Sequence, residues 1–533
     1  MQALTNACVI LPPFLLLVVG LVPNDWAKGN PRLMAVLAAN VSAVSLAFAL
    51  LAGFGYLATG FHGRGMVGLS VYFDSLSAVM LALVSFIGAV VIRYSGNYLD
   101  GDTGQGLFMK WLAFTLGSVL TLVVSGNLIL FTLAWMSTSL SLHRLLVFYP
   151  DRESAVVAAR KKFVISRLGD ACLIASMALI YLVFGSLEFA DIFAAAEKYS
   201  FAGSVNLPPR LSQFLPWASL LLALGAVLKS AQFPFHSWLP EVMETPTPVS
   251  ALMHAGIINA GGFLIIRMSH VIVLTPSVLS VLAVVGAVTA LFGALAMLTQ
   301  TSVKKSLAFS TVGQMGFMML QCGLGAFSSA VLHIVAHACY KAHAFLSSGS
   351  IVDIARASWA PPVRDGRRPK ELLLAFAVSL VLTLATAFAF GISLALEPGV
   401  MAMGAILQLA MTYLLWNALA GQALAAQALW GVGIALLINI VYFSLQRLFM
   451  HLLHDALPVV VPIRGLFSWT LIAALVGCFM LVLLLQVRFP GSAASRIWQV
   501  AYVHFYNGFY VSTIANRLIC RFWPVTTQCR PIR

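Results

Sequence analysis

The chain has 533 residues, 61% of them hydrophobic and 9% charged, with a mean hydropathy of +0.95. That balance excludes a soluble globular domain. The net charge of +14 rests on 31 Lys and Arg, and in so apolar a chain it speaks for membrane topology and contact with anionic lipid, not for nucleic acid.

Apolar runs of about 18 or more residues begin near positions 7, 33, 74, 107, 127, 163, 213, 247, 276, 303, 326, 371, 400, 423 and 465. They predict an all-α polytopic membrane protein with about 13 to 15 transmembrane helices, hardest to divide between 395 and 450. The first run, Val9 to Val22, has no preceding basic residue and no small-residue cleavage site, so it reads as a retained helix. Lys28 and Arg32 follow the first run, Arg152, Arg160, Lys161 and Lys162 the fifth, and Arg356, Arg364, Arg367, Arg368 and Lys370 the eleventh. All three groups follow odd-numbered runs. The positive-inside rule therefore places them in the cytoplasm and the N-terminus outside.

Seven cysteines, Cys8, Cys172, Cys322, Cys339, Cys478, Cys520 and Cys529, form no CxxC pair and no His-paired spacing. They read as small core hydrophobes, which predicts no metal site, no cofactor and no disulfide framework in this chain. No GxxxxGK[ST] phosphate loop occurs either. An ion gradient or an electron-transfer partner remains as the energy source.

Ionisable side chains inside these runs carry the functional reading. Lys229, His254, His333, His337 and Lys341 lie where a charge costs roughly 2.5 to 3.5 kcal/mol on insertion scales, so each belongs in a wet or paired interior. After Lys229 the chain meets Pro234 and Pro240, which predicts a broken helix, the device with which transporters build ion sites. Thr245, Pro246, Thr247 and Pro248 then start the helix that carries His254. His333, His337 and Lys341 recur every fourth residue, on one helix face and over about 12 Å, a distance that a few waters bridge. His343 points about 160° away from Lys341.

Of 17 acidic residues only Asp170 lies well inside an apolar run, which makes it the candidate counter-charge for Lys229 or Lys162. Asp74 opens the third run, and Glu241 and Glu244 read as loop or capping residues. Lys110, Lys304 and Lys305 read as helix-end anchors, with an input to the ion path as the alternative for each and Lys305 counted among the pathway candidates.

The stretch from Lys229, Ser230, Ala231 and Gln232 through Trp238, Leu239 and Pro240, then Pro246 to Ala255, closely resembles the core of the antiporter-like subunits of respiratory complex I and of Mrp cation/proton antiporters. The resemblance continues through Lys305 to Thr311 and His333 to Lys341, and covers about residues 70 to 355. It implies two inverted five-helix repeats with broken helices, and a proton or ion pathway through Lys229, His254, His333, His337 and Lys341. Departures select the member. The family's glutamate after the fifth-helix tryptophan is replaced in Leu133, Ala134, Trp135, Met136, Ser137. No lysine occurs beyond Lys370, and no lysine or glutamate lies between Leu372 and Leu396 to serve as exit. The sequence also leaves no room for complex I's long lateral helix.

A subunit cut down in this way, with Tyr502 to Tyr510 near its C-terminus, looks like the membrane subunit (DabB) of bacterial DAB-type inorganic carbon transporters. That resemblance implies a large cytoplasmic DabA-like partner that holds zinc and hydrates CO2 to bicarbonate, while this chain, not itself an enzyme, passes H+ or Na+. The alternatives are a subunit of a complex I or hydrogenase-type redox complex and an Mrp-type Na+/H+ antiporter. The expected organisation is N-terminal helices (1–70), an antiporter-like core (71–355), a basic cytoplasmic loop (356–370), C-terminal helices (371–490) and an amphipathic, partner-docking segment (491–533).

Overall fold

The computed structural model describes residues 2–59, 63–66, 69–201, 208–349, 369–392, 398–419, 425–458, 466–492 and 496–523. Arg356, Arg364, Arg367 and Arg368 of the expected basic loop lie outside the described residues.

Among the described residues the regular structure is helical apart from one short antiparallel ribbon, β1 (Gly63–Met66) with β2 (Leu69–Phe73). The N-terminal part comprises α1 (Gln2–Leu21), α2 (Asn24–Gly29), α3 (Pro31–Thr59), α4 (Ser75–Tyr98), α5 (Gln105–Val124), α6 (Leu128–Leu146), α7 (Glu153–Phe184) and α8 (Phe189–Phe201). The middle holds α9 (Pro209–Lys229), α10 (Trp238–Glu241), α11 (Thr247–Ala255), α12 (Ala260–Arg267), α13 (Ser269–Ile272), α14 (Pro276–Thr299), α15 (Val303–Gly323) and α16 (Phe327–Leu346). The C-terminal part has α17 (Pro369–Ala389), α18 (Pro398–Leu419), α19 (Ala425–Leu452), α20 (Leu466–Ser492), α21 (Arg496–Tyr506) and α22 (Val511–Phe522).

Among the described residues, ten helices are long and apolar enough to cross a membrane, α11 and α12 counting as one. By the same measure α1 and α20 offer shorter apolar stretches. Each apolar run expected from the sequence is nonetheless a helix. The count by hydropathy is lower because α6, α15 and α16, at 19, 21 and 20 residues, carry serines, threonines, lysines and histidines in place of lipid-like side chains.

Two close approaches fix the middle of the molecule. α14 and α15 form a hairpin through the turn at 300–302, and a Cβ at Gly293 would collide with the backbone of Gly313. Small residues let helix backbones touch in lipid, where dispersion replaces the hydrophobic effect as the adhesive. A Cβ at Gly261 would likewise strike the Ala226 carbonyl and the Ser230 hydroxyl, so α12 presses onto the end of α9.

There α9 breaks, as the two prolines require. Ala231 adopts a left-handed φ of 49°, a strain of order 1 kcal/mol or more for a residue with a Cβ. Backbone groups freed by the break are satisfied within the protein. The Gln232 amide donates to the Val227 carbonyl at 3.2 Å, the Phe233 amide to Thr289 Oγ1 on α14 at 3.1 Å, and Ser230 Oγ to the Ile258 carbonyl at 2.8 Å.

Two corrections concern cysteine. Cys339 and Cys478 are exposed, not core fillers, because their helix faces point outward. Cys520 is disulfide-bonded, so the expectation of a chain without disulfides does not hold at α22.

Candidate functional site

The buried ionisable residues singled out in the sequence as an ion path form two groups. In the first, Lys229 ends α9 with its Nζ 4.3 Å from the centre of the Trp135 ring of α6, a cation–π contact. This ammonium makes no hydrogen bond to any described residue. Asp170 of α7 lies within electrostatic range of Arg167, Lys229 and Lys162, but its ion pair, at 2.8 Å, is with Arg167 one turn earlier on its own helix. Lys162 donates to the Ser139 carbonyl at 2.7 Å and to Ser139 Oγ at 3.0 Å. The cluster thus has three cations around one carboxylate. Sequence reasoning supplied Lys229, Asp170 and Lys162 and missed Arg167.

The second group surrounds α16. His254 Nδ1 shares a 3.0 Å hydrogen bond with Thr311 Oγ1 of α15 and its ring stacks on Phe345 at 4.3 Å, while Nε2 is unpaired. Fully buried Lys341 donates to the Leu307 carbonyl at 3.1 Å. His337 lies within electrostatic range of His333, Lys341 and His254, and the rings of His333 and His337 are 6.0 Å apart. Neither His337 nitrogen, nor His333 Nε2, has a hydrogen-bonding partner among the described residues. The four-residue spacing thus sets His333, His337 and Lys341 along one face of α16. His343, on the opposite face, is exposed.

No hydrogen bond or ion pair among the described residues joins the two groups directly. They meet through packing, since Ser230, beside Lys229, bonds to the segment between α11 and α12. Lys305 stays outside both groups, exposed at the start of α15, whereas neighbouring Lys304 reaches Thr247 Oγ1 at 3.3 Å. Lys110 is buried and donates to Asn24 Oδ1 at 2.6 Å.

Two further ionic features had weak sequence signals. Asp74 caps α4 by accepting from the Ser77 amide at 2.8 Å, and takes two bonds from Arg267 at 2.7 and 3.2 Å. Arg267 also donates to Ser77 Oγ at 2.6 Å, and both charged residues are buried. A lone arginine closing the run from Gly261 was the available clue. Glu241, read as a loop residue, instead pairs with buried Lys161 and accepts from Ser512 and Asn516 of α22. The C-terminal helices are anchored on the same side at the α14 end, where the Tyr502 hydroxyl donates to the Thr299 carbonyl and Gln300 to the Tyr506 carbonyl, each at 3.2 Å. Lys161 and Lys162, grouped in the sequence with a basic loop, are inside the protein.

Among the described residues no group of three or more His, Cys, Asp or Glu is placed to hold a metal ion.

Comparison with known proteins gives the family. Residues 125–420 match the model described as NADH:quinone oxidoreductase/Mrp antiporter, TM, and residues 63–109 that of the complex I chain 5 N-terminus. The "Probable inorganic carbon transporter subunit DabB2" of Halothiobacillus neapolitanus is 42% identical over 465 residues, covering 87% of this chain and 82% of that protein. The "Probable inorganic carbon transporter subunit DabB" of Hydrogenovibrio crunogenus is 36% identical over 488 residues, 87% and 88% of the two chains. A chloroplastic NAD(P)H-quinone oxidoreductase subunit 5 from Dioscorea elephantipes is 40% identical over 280 residues, but these are 52% of this chain and 37% of that one. In fold, the chain resembles the Mrp complex from Dietzia sp. DQ12-45-1b with a TM-score of 0.61 at 22% identity, over 99% of this chain and 60% of that one. The chain thus belongs to the antiporter-like membrane-subunit family of NADH:quinone oxidoreductases and Mrp antiporters and, within it, to the DabB-type subunits.

Proposed function

We propose that this chain is the cation-translocating membrane subunit of a two-component inorganic carbon uptake complex. It passes H+ or Na+ down its gradient through Lys229, His254, His333, His337 and Lys341, with Asp170 and Lys162 tuning the first step and Lys305 at the cytoplasmic mouth. The partner is a large cytoplasmic DabA-like zinc protein that hydrates CO2 to bicarbonate, and the cation current makes that hydration one-way. One charge falling through 100 mV releases about 2.3 kcal/mol, so one or two ions suffice to hold bicarbonate well above its equilibrium level. The observation that carries this reading is the unpaired state of Lys229, His333 and His337 inside the protein. Buried polar groups are ordinarily hydrogen-bonded, and a transport site is where open valences serve a purpose.

The N-terminus faces the periplasm and α21 and α22 face the cytoplasm, since they dock beside Arg160 and Glu241 on the side that the positive-inside rule makes internal. The partner contacts this side. Lys229→Ala should abolish growth in air of cells that depend on the complex while the complex still assembles; normal growth refutes the relay. Purification with native partners tests the rest. Recovery of a single soluble zinc-containing chain supports carbon uptake, and recovery of iron–sulfur proteins supports a redox complex.

A further inference from the structure

After Asp455 the chain has seven arginines and no acidic residue. Two of them, Arg517 and Arg521, lie exposed on α22. At about 100° per residue this helix divides into three sectors. Ser512 and Asn516, about 40° apart, face the protein and donate to Glu241. Arg517 and Arg521 stand about 140 to 180° from Ser512. Ile514, Leu518 and Phe522 stand about 200 to 280° from it and are 58%, 54% and 81% exposed.

The contacts of α22 fix its depth and its direction. The apolar run of α7 begins near position 163, so Arg160 and Phe163 mark where that helix enters the hydrocarbon. Just past the end of α22, the Trp523 ring lies 4.7 Å from the Arg160 guanidinium and 6.2 Å from the Phe163 ring. At its start, Ser512 holds Glu241, which pairs with Lys161. Both ends of α22 are thus tied to residues 160–163 of α7. A helix of 12 residues is about 18 Å long, so α22 crosses α7 and does not run along it. It lies in the plane of the membrane at the hydrocarbon boundary. The turn that leads into it sits equally deep, since Phe509 packs on Phe292 at 6.1 Å, seven residues or about 10 Å inside the end of α14 at Thr299.

Depth and chemistry together select the occupant of the two outer sectors. A soluble acidic partner would match the arginines but not an apolar stripe at hydrocarbon level. A bilayer surface matches both, because its phosphates lie directly above the first acyl carbons. In-plane helices with a basic sector beside an apolar one take this place at membranes, and the arginines favour anionic headgroups.

We propose that α22 is an in-plane anchor that binds anionic phospholipid, with Arg517 and Arg521 on the phosphates, Ile514, Leu518 and Phe522 among the upper acyl carbons, and Ser512 and Asn516 fastening its inner side to Glu241. This goes beyond the translocation reading and does not depend on it.

The test uses the complex purified with its native partners in nanodiscs that contain phosphatidylglycerol or phosphatidylcholine with a photoactivatable diazirine in the acyl chain. Mass spectrometry maps the lipid adducts, with exposed Phe54 of α3 as the lipid-facing reference. Adducts at Ile514, Leu518 or Phe522 are expected, and phosphatidylglycerol should be preferred there by about fivefold for each arginine. Arg517→Gln with Arg521→Gln should bring the two lipids to equal labelling while adducts at Phe54 stay unchanged. Equal labelling in the parent overturns the anchor, as does a preference that survives in the double variant. Labelling at Phe54 with none on α22 also overturns it, and cross-links from α22 to the soluble partner would then assign the face to that partner. If the double variant does not assemble, salt decides in the parent. Raised ionic strength should erase the phosphatidylglycerol preference on α22, and a preference that resists salt overturns the proposal. Adducts are read without flux, so an active Lys229→Ala variant would sink the translocation reading and leave this result standing.

Discussion

The core from α9 to α16 and the C-terminal bundle from α17 to α19 both bury polar side chains, but they treat them oppositely. In the bundle the groups are neutral, and those at its centre are bonded to one another. Ser379 and Thr412 hydroxyls are 2.8 Å apart, Gln408 Nε2 donates to both at 3.2 Å, and Thr383 donates to Asn439 Oδ1 at 3.1 Å. In the core the groups are titratable, and Lys229, His333 and His337 are left open. The bundle uses polarity as adhesive between helices in lipid. The core leaves polarity open, which on the reading proposed above serves the translocated cation.

The sharpest way to break this contrast is to remove the buried lysines of the core, one open and one bonded. Lys229→Ala and Lys341→Ala should each lower cation flux in reconstituted vesicles at least a hundredfold, equivalent to about 2.7 kcal/mol or more of lost barrier stabilisation. Assembly of the complex, read by size-exclusion chromatography, should persist, because Lys229 makes no hydrogen bond whose loss would strand a partner. Flux that survives both changes would reduce the core to ordinary buried polarity.

How much of this was legible in the sequence follows the same division. The ladder on α16 was readable because a four-residue period translates directly into one helix face. The break after Lys229 was readable because proline acts locally. Partners across helices were not. Asp170 was matched by scarcity with Lys229 or Lys162, while its ion pair is with Arg167, since the choice among three nearby cations depends on side-chain direction and not on spacing. Glu241 looked like a loop residue because its bonds to Ser512 and Asn516 cross more than 270 positions. The bundle's hydroxyl and amide network gave no signal at all, since serine and threonine in apolar helices are also common as back-bonded single residues.

A second comparison inside the core separates paired from open charges. Asp74 and Arg267 form a buried, two-bonded pair that ties α4 to α12. Arg267→Leu should destabilise the protein by about 3 to 5 kcal/mol, because it strands a buried carboxylate. Asp74→Leu together with Arg267→Leu should recover most of that and retain a deficit of about 1 kcal/mol for the lost cap on α4. Thermal unfolding in detergent reads both. A single variant no less stable than the parent would place this pair with the open charges.

His270 sharpens the contrast at the molecule's edge, beyond the membrane-spanning part of α12. Burial holds its imidazole down at about 4, against the pull of Asp74 and with the added push of Arg267. Its Nε2 is 3.5 Å from exposed Glu197, and its ring stacks on Phe193 of α8 at 4.8 Å. The unfolded chain takes up a proton on this histidine near pH 6.5 and the folded chain near pH 4, so stability falls as pH drops across that window. The loss is up to about 3 kcal/mol. Melting curves between pH 7 and pH 4 should show the decline in the parent and a shallower one in His270→Gln; equal slopes would mean that this site does not control the docking of α8.

The smallest effect belongs to the bundle and bears most directly on the opening comparison. Thr383→Val keeps the shape of the side chain and removes its bond to Asn439. Interhelical hydrogen bonds in membrane proteins average about 0.6 kcal/mol, because the separated helices find other partners. A melting temperature lower by a degree or two with cation flux unchanged is therefore expected. Asn439 retains its other bond, to the Ala435 carbonyl at 2.9 Å, so no amide hydrogen is stranded by the change. A large fall in flux at unchanged stability would show that the cation's path runs through the bundle interior and not through the core alone. The paired network would then be part of the conducting path.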